Sequence, residues 1–126
     1  MRKVLVVEDH PDMLEVLTCQ VEMMGFSVIP AKHGKEGVKK ALEEKPNLIL
    51  MDIMMPEMDG VEMIGMLRGD GRTKNIPIIF ITSLVEENEV KDGFIKGSKG
   101  VDQYFISKPF NMEEVLHFVQ VCIGKP

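Results

Sequence analysis

Asp52 follows the apolar run Leu48-Ile49-Leu50-Met51 and precedes Ile53-Met54-Met55-Pro56-Glu57-Met58-Asp59-Gly60, a proline-containing loop that closes where a helical pattern begins. Three further segments lead into chemistry-bearing residues in the same way. Val4–Val7 ends in Glu8-Asp9, Ile78–Ile81 ends in Thr82-Ser83, and Gln103–Ile106 leads to Lys108. If these runs are neighbouring strands, carboxylates, a hydroxyl and an ammonium converge on one cleft. Carboxylates brought close repel, so their pKa values rise or they collect a cation. Oxygen-only ligands with room for water and phosphate suit Mg²⁺. An oxygen nucleophile, a metal and donors aimed at phosphate oxygens together suit an incoming phosphoryl group.

The patterning supplies the elements that must hold these residues. Val4–Val7 is apolar without alternation, as a parallel strand buried on both faces requires. His10-Pro11 opens a helix, with proline suited to its first turn. Its apolar stripe is Leu14, Leu17, Val21 and Met24, and Gly25 stops it. A second strand spans Phe26–Pro30, and Lys32-His33-Gly34 turns into a helix over Lys35–Lys45. Pro46-Asn47 breaks that helix before the third strand, Leu48–Met51. A third helix spans Gly60–Arg68, with Gly69-Asp70-Gly71 as a loop before the fourth strand, Ile78–Ile81. A helix is expected over Glu86–Lys96 although Gly93 interrupts it, with Gly97 and Gly100 beyond. The fifth strand spans Gln103–Ile106. Asn111 caps the last helix, Glu114 fits a capping box, and Phe110 and Val115 fit a hydrophobic staple. Five strands alternating with five helices predict a parallel α/β sheet with right-handed crossovers.

Bulk composition narrows the function classes. The chain has 126 residues, 44% hydrophobic and 28% charged, which fits one soluble domain spanning residues 1–126. A net charge of −5 argues against direct nucleic-acid binding. No apolar run is long enough for a membrane span or a signal-peptide core. Cys19 and Cys122 stand far apart, without CxxC spacing, on apolar helix faces. They are expected to be buried free thiols in a reducing cytoplasm.

Glu8-Asp9, Asp52 with Met55-Pro56-Glu57-Met58-Asp59-Gly60, Thr82-Ser83 and Lys108-Pro109-Phe110 together resemble the receiver domain of two-component response regulators. The resemblance runs over nearly the whole chain, in the same order and at similar spacing. It implies a doubly wound, flavodoxin-like sheet of order 2-1-3-4-5. It implies that Asp52 takes phosphate from a histidine kinase or phosphotransfer protein, and that an effector domain or target protein reads the result. It further implies that Asp9, Asp52 and the Met54 carbonyl bind Mg²⁺, with Glu8 acting through a water. Thr82 and Lys108 would contact the phosphoryl oxygens, with Lys108-Pro109 in cis. Thr82 and the aromatic three residues before Lys108 would form the switch. That aromatic is Phe105, which brings no hydroxyl to an inward state, and Tyr104 stands beside it. Met54 and Leu84 hold the positions flanking the approach of a hydrolytic water. The segment from Gly93-Phe94 to Lys108 is a few residues longer than is usual in the family.

Other classes fit less well. A haloacid-dehalogenase-type phosphohydrolase needs a second Asp two residues after the nucleophile, where this chain has Met54. A flavin or nucleotide domain needs a Gly-rich or Ser/Thr-rich loop after the first strand, where this chain has Glu8-Asp9-His10-Pro11. The expectation is therefore a switch that catalyses only its own phosphorylation and dephosphorylation. Glu57 and Asp59 read as surface residues. The methionines from Met51 to Met66 read as packing, and His10, His33 and His117 lack ligand spacing. Lys39-Lys40 and Glu43-Glu44 read as a solvated face with i,i+4 pairs.

Overall fold

The computed structural model describes residues 2–52, 60–82, 103–107 and 111–124. Among these residues lie the strands β1 (Lys3–Val7), β2 (Ser27–Ala31), β3 (Leu48–Asp52), β4 (Ile78–Thr82) and β5 (Gln103–Ser107). The helices are α1 (Pro11–Met23), α2 (Gly34–Glu44), α3 (Gly60–Arg68) and α4 (Met112–Ile123). Every strand pair is parallel and the order is β2-β1-β3-β4-β5. The expected Glu86–Lys96 helix, the Phe110 half of the staple and the Lys108-Pro109 bond lie outside the described residues.

Alternation along each strand sends successive side chains to opposite faces. Leu5, Val7, Ile49, Met51, Ile78 and Phe80 meet Val38 and Ala41 of α2 and Met63 and Leu67 of α3 in one core layer. Val4, Val6, Leu48, Leu50, Ile79, Ile81 and Ile106 meet Leu14, Leu17 and Val21 of α1 and Val115 and Val119 of α4 in the other. A sheet covered on both faces explains why its central strands read as unbroken apolar runs. Gly37 sets how closely α2 approaches. A Cβ there would stand 2.9 Å from Met63 Cε and 2.9 Å from Val7 Cγ2.

The boundaries differ locally from expectation, for physical reasons. The backbone of β3 continues one residue further and includes Asp52. β2 starts at Ser27, whose N–H bonds Arg2 O at 2.9 Å, and Phe26 is a buried residue ahead of it. α2 begins one residue early because His33 is its N-cap, accepting from Glu36 N–H through Nδ1 at 3.2 Å. It ends on Lys45 in the left-handed region, at φ 49°. Met24 caps α1, and Gly25, at φ 100°, turns the chain away. Asn111 caps α4, accepting from Glu114 N–H at 2.8 Å.

Two expectations are corrected. Cys19 is exposed, because it sits off the stripe of Leu14, Leu17 and Val21, and Cys122 is only partly buried. On α2, Lys40 pairs with Glu36, one turn earlier, at 3.0 Å, and not with Glu44. That order, glutamate N-terminal to lysine, is the more favourable on a helix. Glu44 instead lies 3.7 Å from Lys3.

β2 is an edge strand, and its outer side is blunted. Ser27 N–H and Ala31 C=O bond into β1 and its extension, so the intervening Val28 and Pro30 direct their backbone groups outward. Pro30 has no N–H to offer, and its carbonyl accepts from Lys40 Nζ at 2.5 Å. A proline and a lysine at such a position discourage strand addition by another chain.

Candidate functional site

The strand order brings the C-terminal ends of β1, β3 and β4 side by side. Val7 pairs with Met51, and the residues that follow them are Glu8 and Asp52. Asp52 pairs in turn with Ile81, one residue before Thr82, and Thr82 pairs with Ser107. Adjacent strands stand about 4.8 Å apart, so the backbones of Glu8, Asp52 and Thr82 occupy one short stretch of sheet edge. Lys108, Met54 and Leu84 lie outside the described residues. Phe105 and Tyr104 belong to β5, next to β4.

Glu8 is held by the sheet itself. Its N–H bonds Ala31 O at 3.0 Å, extending the ladder between β1 and β2 by one step. Its side chain is only 5% exposed, which is unusual for a glutamate. Asp9 follows, half-buried, and the chain then turns through His10 into Pro11 at the start of α1. Beside the pair opens a cleft of about 360 Å³ between α1 and the end of β2, lined by residues including Glu8, Asp9, Leu14, Thr18, Pro30 and Lys32. Two adjacent carboxylates, one buried, offer hard oxygen donors next to open space. That donor set fits a hydrated Mg²⁺ and does not fit a soft metal. Among the described residues no cluster of three His, Cys, Asp or Glu side chains forms a metal site.

The neighbouring electrostatics are local. Burial pushes the Glu36 carboxyl up, but the hydrogen bond and charge of Lys40 outweigh it, leaving Glu36 below the usual carboxylate range. Sequence reasoning treated His33 and Lys40 as solvated turn and helix residues. The structure gives Lys40 a part in holding the end of β2 and His33 a part in starting α2 just after it.

Residues 4–120 match the family model of the response regulator receiver domain. The chain belongs to that family. Protein PilH of Pseudomonas aeruginosa is 32% identical, over 98% of this chain and 99% of its own length. The DNA-binding dual master transcriptional regulator RpaA of Synechocystis sp. is 33% identical over 99% of this chain, which spans 50% of that protein. Curated relatives thus include one of this length and one twice as long. The receiver domain of sensor histidine kinase PA1611 from Pseudomonas aeruginosa PAO1, with a magnesium ion coordinated in its active-site cleft, superposes with a TM-score of 0.82. It is 25% identical and covers 98% of each chain. Phosphoryl acceptance and Mg²⁺ binding are typical of the receiver family, and its members work with histidine kinases. No helix among the described residues of this receiver is long and apolar enough to cross a membrane.

Proposed function

We propose that this receiver accepts a phosphoryl group on Asp52 from a histidine kinase or phosphotransfer protein, and that the whole of residues 1–126 serves as that one domain. The observation that carries the proposal is the position of Asp52, last residue of β3, in the central strand between the one that leads into Glu8-Asp9 and the one that ends in Thr82. In an open α/β sheet, ligands bind at the carboxyl ends of the strands.

Asp9, Asp52 and the Met54 carbonyl would hold Mg²⁺, and Glu8 would do so through a water. When bound, Mg²⁺ neutralises charge on phosphoryl oxygens during transfer. Asp52 supplies the attacking carboxylate oxygen, and Thr82 and Lys108 donate to the oxygens of the transferred group. Thr82 drawn inward would free space for Phe105 beside Tyr104, shifting the β4–β5 face toward an effector domain or target protein. Met54 and Leu84, both apolar, would keep water from the acyl phosphate and make its loss slow. The chain then acts in the cytoplasm as a switch, not as an enzyme with turnover on a free substrate.

Acetyl phosphate with Mg²⁺ tests this. Intact mass should show one hydroxylamine-sensitive phosphoryl adduct, absent in Asp52→Ala. An equal, equally labile adduct in that variant would place the acceptor elsewhere. On the same protein, beryllofluoride should move amide resonances from Thr82 through Phe110; changes confined to the Asp52 loop would remove the switch. The adduct should also decay faster in the double variant Met54→Asn, Leu84→Glu. An unchanged decay would show that these side chains do not set its lifetime.

A further inference from the structure

We propose that Lys40 is a positioning residue for the Glu8-Asp9 pair, acting through the last residues of β2. An edge strand has a hydrogen-bonding neighbour on one side only. Among the described residues β2 pairs with β1 alone, so the end of β2 is held from one flank by the ladder. On the other flank stands Lys40, whose Nζ donates to Pro30 O at 2.5 Å. The lysine is itself aimed, because Glu36 one turn earlier holds the same ammonium at 3.0 Å. Glu36 is fixed in its turn, since its N–H is the donor bonded by His33 at the start of α2. His33 Nε2 lies 3.9 Å from the Glu36 carboxylate, so the three side chains form one local group.

What this group holds is the residue pair that carries Glu8. The carbonyl next after Pro30 in the chain is that of Ala31, which accepts from Glu8 N–H. Fraying of the β2 end would break that bond and free the backbone that leads from Glu8 into Asp9. Lys40 opposes fraying from the side where the sheet offers nothing. The device is a helix residue clamping an edge strand whose inner side carries a metal-site acid. It rests on the reading of Glu8-Asp9 as the metal-holding acids, and the exchange arm below is independent of that reading.

Lys40→Met keeps the methylene stem and removes the donor. Amide hydrogen exchange should show Glu8 N–H exchanging about fivefold faster, the scale of one lost hydrogen bond. The Leu50 amide, in the central strand, should keep its wild-type rate. Calorimetric titration should show Mg²⁺ affinity about twofold weaker. Lys40→Arg, which retains a charged donor able to pair with Glu36, should restore both values. Unchanged Glu8 exchange in Lys40→Met, or equal acceleration at Leu50, would overturn the proposal. So would faster Glu8 exchange with unaltered Mg²⁺ affinity, because the clamp would then not reach the acids. If Mg²⁺ binding survives Asp9→Ala undiminished, the metal reading fails instead, and the Glu8 exchange rate alone decides whether Lys40 holds this strand end.

Discussion

At the edge where β4 begins, polar side chains close onto backbone, whereas the edge where β1 and β3 end carries the consecutive acids Glu8 and Asp9 beside the backbone of Asp52. Arg68, at the end of α3, directs Nη1 to the carbonyls of Thr73, Lys74 and Ile76 at 3.3, 3.0 and 2.9 Å. Burial lowers its pKa to about 10, which still leaves the guanidinium charged at neutral pH. Thr73, fully buried, donates its hydroxyl to Leu67 O at 2.6 Å. These groups are consumed in fixing residues 69–76. At the opposite edge a buried Glu8 stands next to Asp9, and the Asp52 backbone is on the adjoining strand. Bringing carboxylates together costs folding energy unless a cation offsets it. The difference is between polar side chains whose hydrogen bonds fix a loop and a strand edge where consecutive acids line a cleft.

The sharpest way to break this comparison is to exchange one residue at each edge. Arg68→Met leaves three carbonyls without their shared donor and should cost about 2 kcal/mol in urea unfolding. Asp9→Asn should leave metal-free stability unchanged or raise it, since it removes repulsion from the acid pair. Equal losses in both would erase the distinction. A smaller effect is expected where α2 meets β1, the strand that leads into the acids. Gly37→Ala should cost about 1 kcal/mol net, because the Met63 methyl can swing aside but the branched Val7 cannot, and only part is recovered by helix propensity. A more stable Gly37→Ala protein would mean that β1 yields.

Smaller still, Lys45→Gly should stabilise the fold by about 0.5 kcal/mol, by relieving a left-handed lysine at the α2 C-cap. Thermal unfolding checks the sign, and a loss would show that the lysine side chain contributes there. The least effect lies in the clasped loop. Side-chain and backbone hydrogen bonds from Arg72 hold the Asp70 carboxyl down to about 2, against an ordinary 3.8. A lowered carboxylate pKa contributes stability that is complete above the unfolded value and lost as pH falls through the folded one. NMR titration of Asp70 should therefore give a midpoint at about 2, rising part of the way toward 3.8 in Arg72→Ala, which keeps the backbone donor. An unmoved midpoint would detach the two residues.

Much of the fold is legible in the sequence because burial on both faces leaves so little choice. Val4–Val7, Leu48–Met51 and Ile78–Ile81 can hardly be anything but central strands, and their ends locate Glu8, Asp52 and Thr82 without a structure. Leu14, Leu17 and Val21 of the α1 stripe follow from spacing alone. What escaped is contact between elements distant in the chain or chosen among equivalents. Lys40 has carboxylates one turn away in both directions, and only the exposed Pro30 carbonyl and the position of Glu36 decide which it takes. His33 looked like a turn residue because histidine is an uncommon N-cap. The Arg68 clasp depends on where residues 73–76 return, which local periodicity does not encode. Cys19 was assigned to the apolar face, although the buried stripe passes beside it.

The most direct test of the account is Mg²⁺-linked stability measured on wild type, Asp9→Ala and Arg68→Met together. A ligand that binds only the folded state at 100 times its Kd adds about 2.7 kcal/mol. Wild type and Arg68→Met should gain the same amount from Mg²⁺, from different starting stabilities, and Asp9→Ala should gain nothing. A full gain in Asp9→Ala, or its loss in Arg68→Met, would contradict the assignment of the metal to the end of the sheet that Glu8, Asp9 and Asp52 share.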